Sequence, residues 1–234
     1  MKTSDAEALK RAAAERAAGW IEDGMVLGLG TGSTVRHLLD VIAERRAAGE
    51  WGSIVGVPTS EDTAERAGRL GIPLTTLAER GRLDLTIDGA DEVDPELRLI
   101  KGLGGALLRE KVVASVSDRL VIVADDSKVV ERLGTRAPLP VEVDPFAAPV
   151  LVPFLRSLGA EPRLRVGDDG AARVTDGGHH ILDCHFAGGI ADAEALEAAL
   201  LGRPGVLETG LFLGMASAAV IAAEGGVRVM GEGA

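Results

Sequence analysis

Short apolar runs alternate with amphipathic stretches through the first 125 residues, and no other feature constrains the fold as strongly. "MVLGLG", "SIVGV", "LDLTI" and "RLVIVA" are apolar and strand-length, with "IPL" as a shorter one. "TGSTVRHLLDVIAERRAAG", "TSEDTAERAGRL" and "ALLREKVVASV" carry apolar residues at helical spacing, with charges between them. Strands that are apolar throughout need cover on both sides. Strand–helix–strand units supply it by winding a mostly parallel sheet with helices on both faces. The pattern predicts an α/β fold of that kind.

The texture changes near Ala137. "APLPVEV" is a Pro-flanked strand, and Asp144-Pro145 has the form of a helix start, with the helix running through Leu158. Pro149 and Pro153 should make that helix irregular or split it. The strands "EPRLRV" and "HILDCHF", the helix "DAEALEAALL" and the strand "VLETGLF" complete a β-α-β-β-α-β order. That order predicts a smaller split-βαβ (ferredoxin-like) domain. "AAVIAAEGGVRVM" reads as a hairpin returning to the first sheet. The expected division is residues 1–134 and 211–234 against residues 135–210.

The formal net charge of −11 repels polyanions, which argues against nucleic acid as a partner. No apolar run is long enough to cross a bilayer, so no membrane association is expected. One cysteine excludes an intramolecular disulfide and fits a reducing, cytoplasmic setting. A phosphate ester would have to be held by locally placed lysines against the background field.

Three loops carry candidate chemistry. In "GLGTGST" (28–34), Gly30 and Gly32 let the backbone approach an anion, while Ser33 and Thr34 add hydroxyls at a positive helix end. The spacing fits neither a dinucleotide fingerprint nor a Walker motif, so a phosphate cradle and an ordinary tight turn both stay open. "DGADEVD" (88–94) packs four carboxylates behind "LDLTI". Asp88 and Asp91 fall at the carboxyl end of a strand, where open parallel sheets place ligands. Ala90 stands where a calcium loop needs a ligand; a magnesium site and a solvated turn remain open. In "KGLGGALLREK" (101–111), backbone N–H groups beside Lys101 suit a developing oxyanion, and Glu110 becomes a candidate general base. Glu92 and Asp94 read as solvated, and His179 and His180 as turn residues. Cys184 reads as a buried apolar side chain.

With "ADDSK" (124–128), these three motifs occur in an order and spacing that resembles ribose-5-phosphate isomerase of type A. The likeness extends from Lys10 through "PLPVEV" to "GLF". It implies reversible conversion of ribose 5-phosphate to ribulose 5-phosphate through a cis-enediolate, with no metal and no organic cofactor. It implies substrate contacts at Thr31, Gly32, Ser33 and Thr34, at Asp88, Gly89, Ala90 and Asp91, and at Lys101, Gly102, Leu103 and Gly104. Lys10 and Lys128 match positions near the phosphate. Catalysis would fall to Glu110 as proton acceptor, Lys101 at the enediolate, Asp88 in ring opening and Asp91 in placing hydroxyls. A Rossmann-like domain carrying the site and a homodimer or homotetramer are also implied. A sugar-phosphate deaminase, lactonase or acyl-CoA transferase on a similar fold is one rival reading. A sugar-phosphate sensor without activity is another.

Overall fold

The computed structural model describes residues 3–232, and side chains over residues 6–232. Its first elements are α1 (Thr3–Ala18), β1 (Val26–Leu29), α2 (Ser33–Ala47), β2 (Val55–Pro58), α3 (Glu61–Arg69) and β3 (Leu85–Gly89). Next come β4 (Glu92–Val93), β5 (Leu99–Ile100), α4 (Leu107–Ser115), β6 (Leu120–Asp125), β7 (Leu139–Val143), α5 (Ala148–Ser157) and β8 (Ala160–Leu164). The last are β9 (His180–Phe186), α6 (Ala193–Leu201), β10 (Val206–Thr209), β11 (Leu211–Phe212), β12 (Ala218–Ala223) and β13 (Gly226–Gly231). A 3₁₀ turn, Asp126–Lys128, follows β6.

The described chain forms two compact units. One comprises the residues through Ala90, Arg109–Lys128, and the chain from Met215 onward; the other comprises Asp91–Leu108 and Val129–Gly214. The first holds a sheet in the order β13-β12-β6-β3-β1-β2. Its pairs are parallel except the β12–β13 hairpin. Side chains alternate across it as the pleat requires. Leu27, Leu29, Leu85, Ile87, Val121 and Val123 pack with Ala13, Ala17, Leu38 and Ile42 of α1 and α2. On the opposite face, a Cβ at Gly28 would meet Thr86 and Val113 of α4. Helices therefore cover both faces, and the expected α/β architecture is the observed one. Strand order reverses about β1, which pairs with β2 on one side and β3 on the other. Crevices at such reversals, beyond the carboxyl ends of the strands, are where open α/β sheets bind ligands.

The second unit holds an antiparallel sheet in the order β10-β7-β9-β8, the split-βαβ arrangement, with α5 and α6 as its crossovers. A small ladder β11-β5-β4 explains why residues 91–108 belong here. The run "VLETGLF" is divided at Gly210, where the chain passes from one sheet to the other. Gly210 donates to the Pro140 carbonyl at 2.8 Å and accepts from the Lys101 N–H at 2.9 Å. A Cβ there would lie 2.3 Å from the Lys101 carbonyl oxygen.

Several local expectations are corrected. "IPL" makes a lone bridge, Gly56↔Leu74, because Pro73 has no N–H with which to extend a ladder. Asp144 does not cap α5; it closes a turn, its Oδ1 accepting from the Phe146 N–H at 2.8 Å, and the helix begins at Ala148. Pro149 falls in the first turn of α5, where its missing N–H costs nothing, and α5 runs unbroken through Pro153. His180 opens β9. His179 reaches back to Glu142, its Nδ1 2.9 Å from Oε1, which also accepts from Thr175 Oγ1. Cys184 is buried as expected, and burial, with Asp183 nearby, pushes its thiol up to about 12.

Glu92 and Asp94 are the largest surprise, since both are completely buried. Glu92 accepts from the backbone N–H groups of Gly134, Arg136 and Ala137 at 2.6–2.7 Å. Asp94 accepts from the N–H groups of Glu96 and Arg98 and from the Arg98 guanidinium. Carboxylates so fully satisfied can leave water, and each holds a loop in one shape. Glu92→Ala would strand three backbone donors and should cost about 2–4 kcal/mol of stability. Urea denaturation measures it, and an unchanged midpoint would mean that the 134–137 loop is held by something else.

Candidate active site

The reversal of strand order about β1 places the Gly-rich turn and Asp88 together. Asp88 is the penultimate residue of β3 and is 1% exposed. Its Oδ1 accepts from the Thr31 N–H at 3.0 Å and from the Gly89 N–H at 2.7 Å. A Cβ at Gly30 would lie 2.2 Å from that same oxygen. The Asp88 carboxylate by itself thus requires glycine at 30. The Thr31 hydroxyl is engaged with Thr59 Oγ1 and Ser60 Oγ, both at 2.8 Å, while Thr63 Oγ1 donates to the Gly30 carbonyl at 2.8 Å. The segment "TSEDT" shows in sequence only the cap of α3, which Ser60 does form by accepting from the Thr63 N–H. Its further task is to brace the 30–31 turn.

Gly32, at φ +113°, starts α2 and has nothing within 4 Å of where a Cβ would be. Ser33 is exposed and Thr34 buried in the first turn of this helix, which carries no acidic residue there. Its N–H groups thus keep their positive end uncompensated by side-chain charge. Lys10 lies on α1, with Nζ 2.7 Å from Glu7 Oε1, and His37 Nε2 lies 2.9 Å from Glu7 Oε2. Hydrogen bonds from Lys10, the larger cause, and to His37 hold the Glu7 carboxyl below the ordinary range. Lys128 ends the 3₁₀ turn after β6, half-buried.

In the second unit, Asp91 Oδ2 accepts from the Leu103 N–H at 2.9 Å, joining the acidic loop to the Gly loop. Lys101 is 2% exposed, and its Nζ stands 5.3 Å from the centre of the Phe212 ring. Gly102 is buried, whereas Leu103 and Gly104 are exposed. Behind it, Arg165 Nη1 donates to the carbonyls of Gly102 at 2.8 Å and Leu103 at 3.1 Å. Nothing in "EPRLRV" marks Arg165 for this. The one clue is Asp183 inside the apolar strand "HILDCHF", an acid that needs a cation.

Glu110 stands in the first turn of α4 and is only 4% exposed. Its neighbour Arg109 reaches Glu61 Oε1 at 2.7 Å. Among the described residues, no cluster of three or more His, Cys, Asp or Glu side chains is arranged to hold a metal ion. Nor is any described helix long and apolar enough to cross a membrane.

Residues 55–226 match the family model of ribose 5-phosphate isomerase A (phosphoriboisomerase A). The ribose-5-phosphate isomerase A of Roseiflexus castenholzii is 59% identical over 218 residues, 93% of each chain. That of Gloeobacter violaceus is 57% identical over 97% of each. Among solved structures, a D-ribose-5-phosphate isomerase in complex with phospho-erythronic acid superposes with a TM-score of 0.94. It is 37% identical, with 97% of this chain and 99% of that one covered. The Plasmodium falciparum ribose 5-phosphate isomerase gives 0.93 at 36% identity, covering 97% of this chain and 100% of that one. Matched along nearly its whole length in sequence and in backbone, this chain belongs to the ribose 5-phosphate isomerase A family, the aldose–ketose isomerases that interconvert ribose 5-phosphate and ribulose 5-phosphate.

Proposed function

We propose that this chain moves the carbonyl between C1 and C2 through a cis-enediolate, without a metal ion, with Glu110 carrying the proton. The observation behind the choice is the burial of Glu110. A carboxylate 4% exposed at the start of a helix, directly after the Gly loop in the chain, is kept from bulk water that would compete for the proton. Glu110 takes the C2 proton of open-chain ribose 5-phosphate, and the C–H electron pair becomes the C1–C2 double bond of the enediolate. The same carboxyl returns the proton to C1. Meanwhile O2 loses a proton and O1 gains one, so no electrons are lost or gained overall.

Lys101 and the N–H groups of Gly102 and Gly104 stabilise the enediolate oxygens, while the Leu103 N–H ties the loop to Asp91. Asp88, held by the N–H groups of Thr31 and Gly89, opens the sugar ring and moves protons between O1 and O2. Asp91 orients hydroxyls, and Gly89 and Ala90 line the chain beside it. The phosphate goes to Gly32, Ser33 and Thr34 at the start of α2, with Thr31 bracing the turn and Lys10 and Lys128 supplying charge. Lys10 must exchange Glu7 for the phosphate. We further assign the protein to the cytoplasm as a homodimer or homotetramer. The lone cysteine supports the location, and the exposed Phe146 and Val150 of the second unit support self-association.

Turnover of ribose 5-phosphate should persist in excess EDTA; loss on chelation and recovery with a divalent ion would overturn the metal-free mechanism. Glu110→Gln should lower turnover about 10²–10⁴-fold while substrate still binds. Exchange of the C2 hydrogen with deuterated water should fall in step; exchange at the wild-type rate would identify another base. Lys128→Ala should raise the KM for ribose 5-phosphate with the fold intact, and an unchanged KM removes Lys128 from the phosphate site.

A further inference from the structure

Arg165 follows β8 and is only 10% exposed at its side chain; Asp183, on β9, is 18% exposed. The two form a bidentate pair, Nε to Oδ2 at 2.9 Å and Nη2 to Oδ1 at 2.5 Å. Such a fork fixes the plane of the guanidinium. The backbone is fixed as well, since the Arg165 N–H donates to the Ile181 carbonyl and its own carbonyl accepts from the Arg173 N–H, both at 2.9 Å. The remaining nitrogen, Nη1, therefore has a determined position, and it donates to the carbonyls of both Gly102 and Leu103.

Those carbonyls belong to the 102–103 and 103–104 peptides. No described peptide bond is cis, and in a trans peptide the N–H points away from the C=O. Pulling both carbonyls toward Arg165 turns the Leu103 and Gly104 N–H groups the other way. The Leu103 N–H meets Asp91 Oδ2, so the first of these peptides is held from both sides. The Leu103 side chain is 39% exposed and contributes little anchoring of its own. Within the loop the Gly105 N–H also closes a turn onto the Gly102 carbonyl at 2.9 Å, and Arg165 adds the hold on the Leu103 carbonyl, since oxyanion stabilisation needs donors already aimed.

We propose that Arg165, locked by Asp183, is a positioning residue that aims the Gly104 N–H at the enediolate oxygens while holding the 102–103 peptide against Asp91. This rests on the reading that the loop beside Lys101 stabilises the enediolate. A residue with this role affects the transition state more than substrate affinity. Arg165→Met should lower kcat about 10- to 100-fold, leaving the KM for ribose 5-phosphate within about twofold. Phospho-erythronic acid is an unreactive probe whose carboxylate presents the planar anionic oxygen pair of the enediolate, and its inhibition should weaken by a factor similar to the loss in kcat. Guanidinium chloride at low millimolar concentration should restore part of the activity of Arg165→Met. Asp183→Asn, which keeps the arginine but loosens its fork, should show the same split in milder form.

A folded Arg165→Met enzyme with wild-type kcat and wild-type inhibition overturns the proposal. So does a loss that guanidinium does not repair, accompanied by wild-type behaviour in Asp183→Asn. If Arg165→Met does not fold, Asp183→Asn and Arg165→Lys decide alone: reduced kcat at unchanged KM supports the proposal, and wild-type kinetics in both overturns it. Lys101→Met separates the two levels of the argument. Unimpaired turnover there defeats the reading of the loop itself; impaired turnover with unaffected Arg165 and Asp183 variants defeats only the role of Arg165.

Discussion

The Asp88 carboxylate occupies the space that a side chain at position 30 would need, with its Oδ1 2.2 Å from where that Cβ would be. Much of the first unit follows from this contact. β1 and β3 pair side by side, so the groups at their carboxyl ends must share one small volume. Asp88 takes it, and the turn after β1 has to be glycine. Two backbone N–H groups, from Thr31 and Gly89, then hold the carboxylate while it is 1% exposed. The hydroxyls of Thr59, Ser60 and Thr63 brace the same turn from the start of α3. A carboxylate fixed this firmly can meet a substrate without reorganising, which is the condition for efficient acid–base work.

In the proposed site, the same chemistry divides the acidic motif into two pairs. Asp88 and Asp91 each hold a loop by accepting its N–H groups, and both lie on segments assigned to substrate. Glu92, directly after Asp91, and Asp94, three positions beyond it, are buried by the same kind of bond and shape loops. Composition cannot separate the pairs, since all four are carboxylates in one heptapeptide. What separates them is where the chain goes next. β4 and β5 fold residues 92–100 into a small ladder, turning Glu92 toward the 134–137 loop and Asp94 toward Arg98.

Except at Asp94, whose partners Glu96 and Arg98 are local, legibility in the sequence followed the range of the interactions involved. The parallel sheet, the split-βαβ unit, the terminal hairpin and the α4 start near Glu110 rest on periodicity and local turn chemistry, which neighbouring residues display. The solvated reading of Glu92 failed because its partners lie 42 to 45 positions away. Arg165 was invisible for the same reason: its targets at 102 and 103 are 63 and 62 positions distant, and on a strand it looks like a surface charge. Gly30 was legible as a required glycine, but its neighbour was not, since a tight approach to Asp88 and one to a phosphate demand the same residue.

A protein with a formal charge of −11 binding a sugar phosphate looks at first like an electrostatic contradiction. Screening removes most of it, because at physiological salt the field of distant carboxylates decays over about 8 Å. What remains is decided at contact, where neutral donors act without adding net charge. The first turn of α2 offers N–H groups and hydroxyls with no acidic residue among them. Several carboxylates are already matched: Glu7 by Lys10 and His37, Glu61 by Arg109, and Asp88 and Asp91 by backbone N–H groups. Each matched acid repels an arriving dianion less than a bare one would. A small number of lysines, added to helix-end donors, can then determine where the phosphate settles, and the chain's overall acidity mainly discourages larger polyanions that would meet many unscreened charges at once.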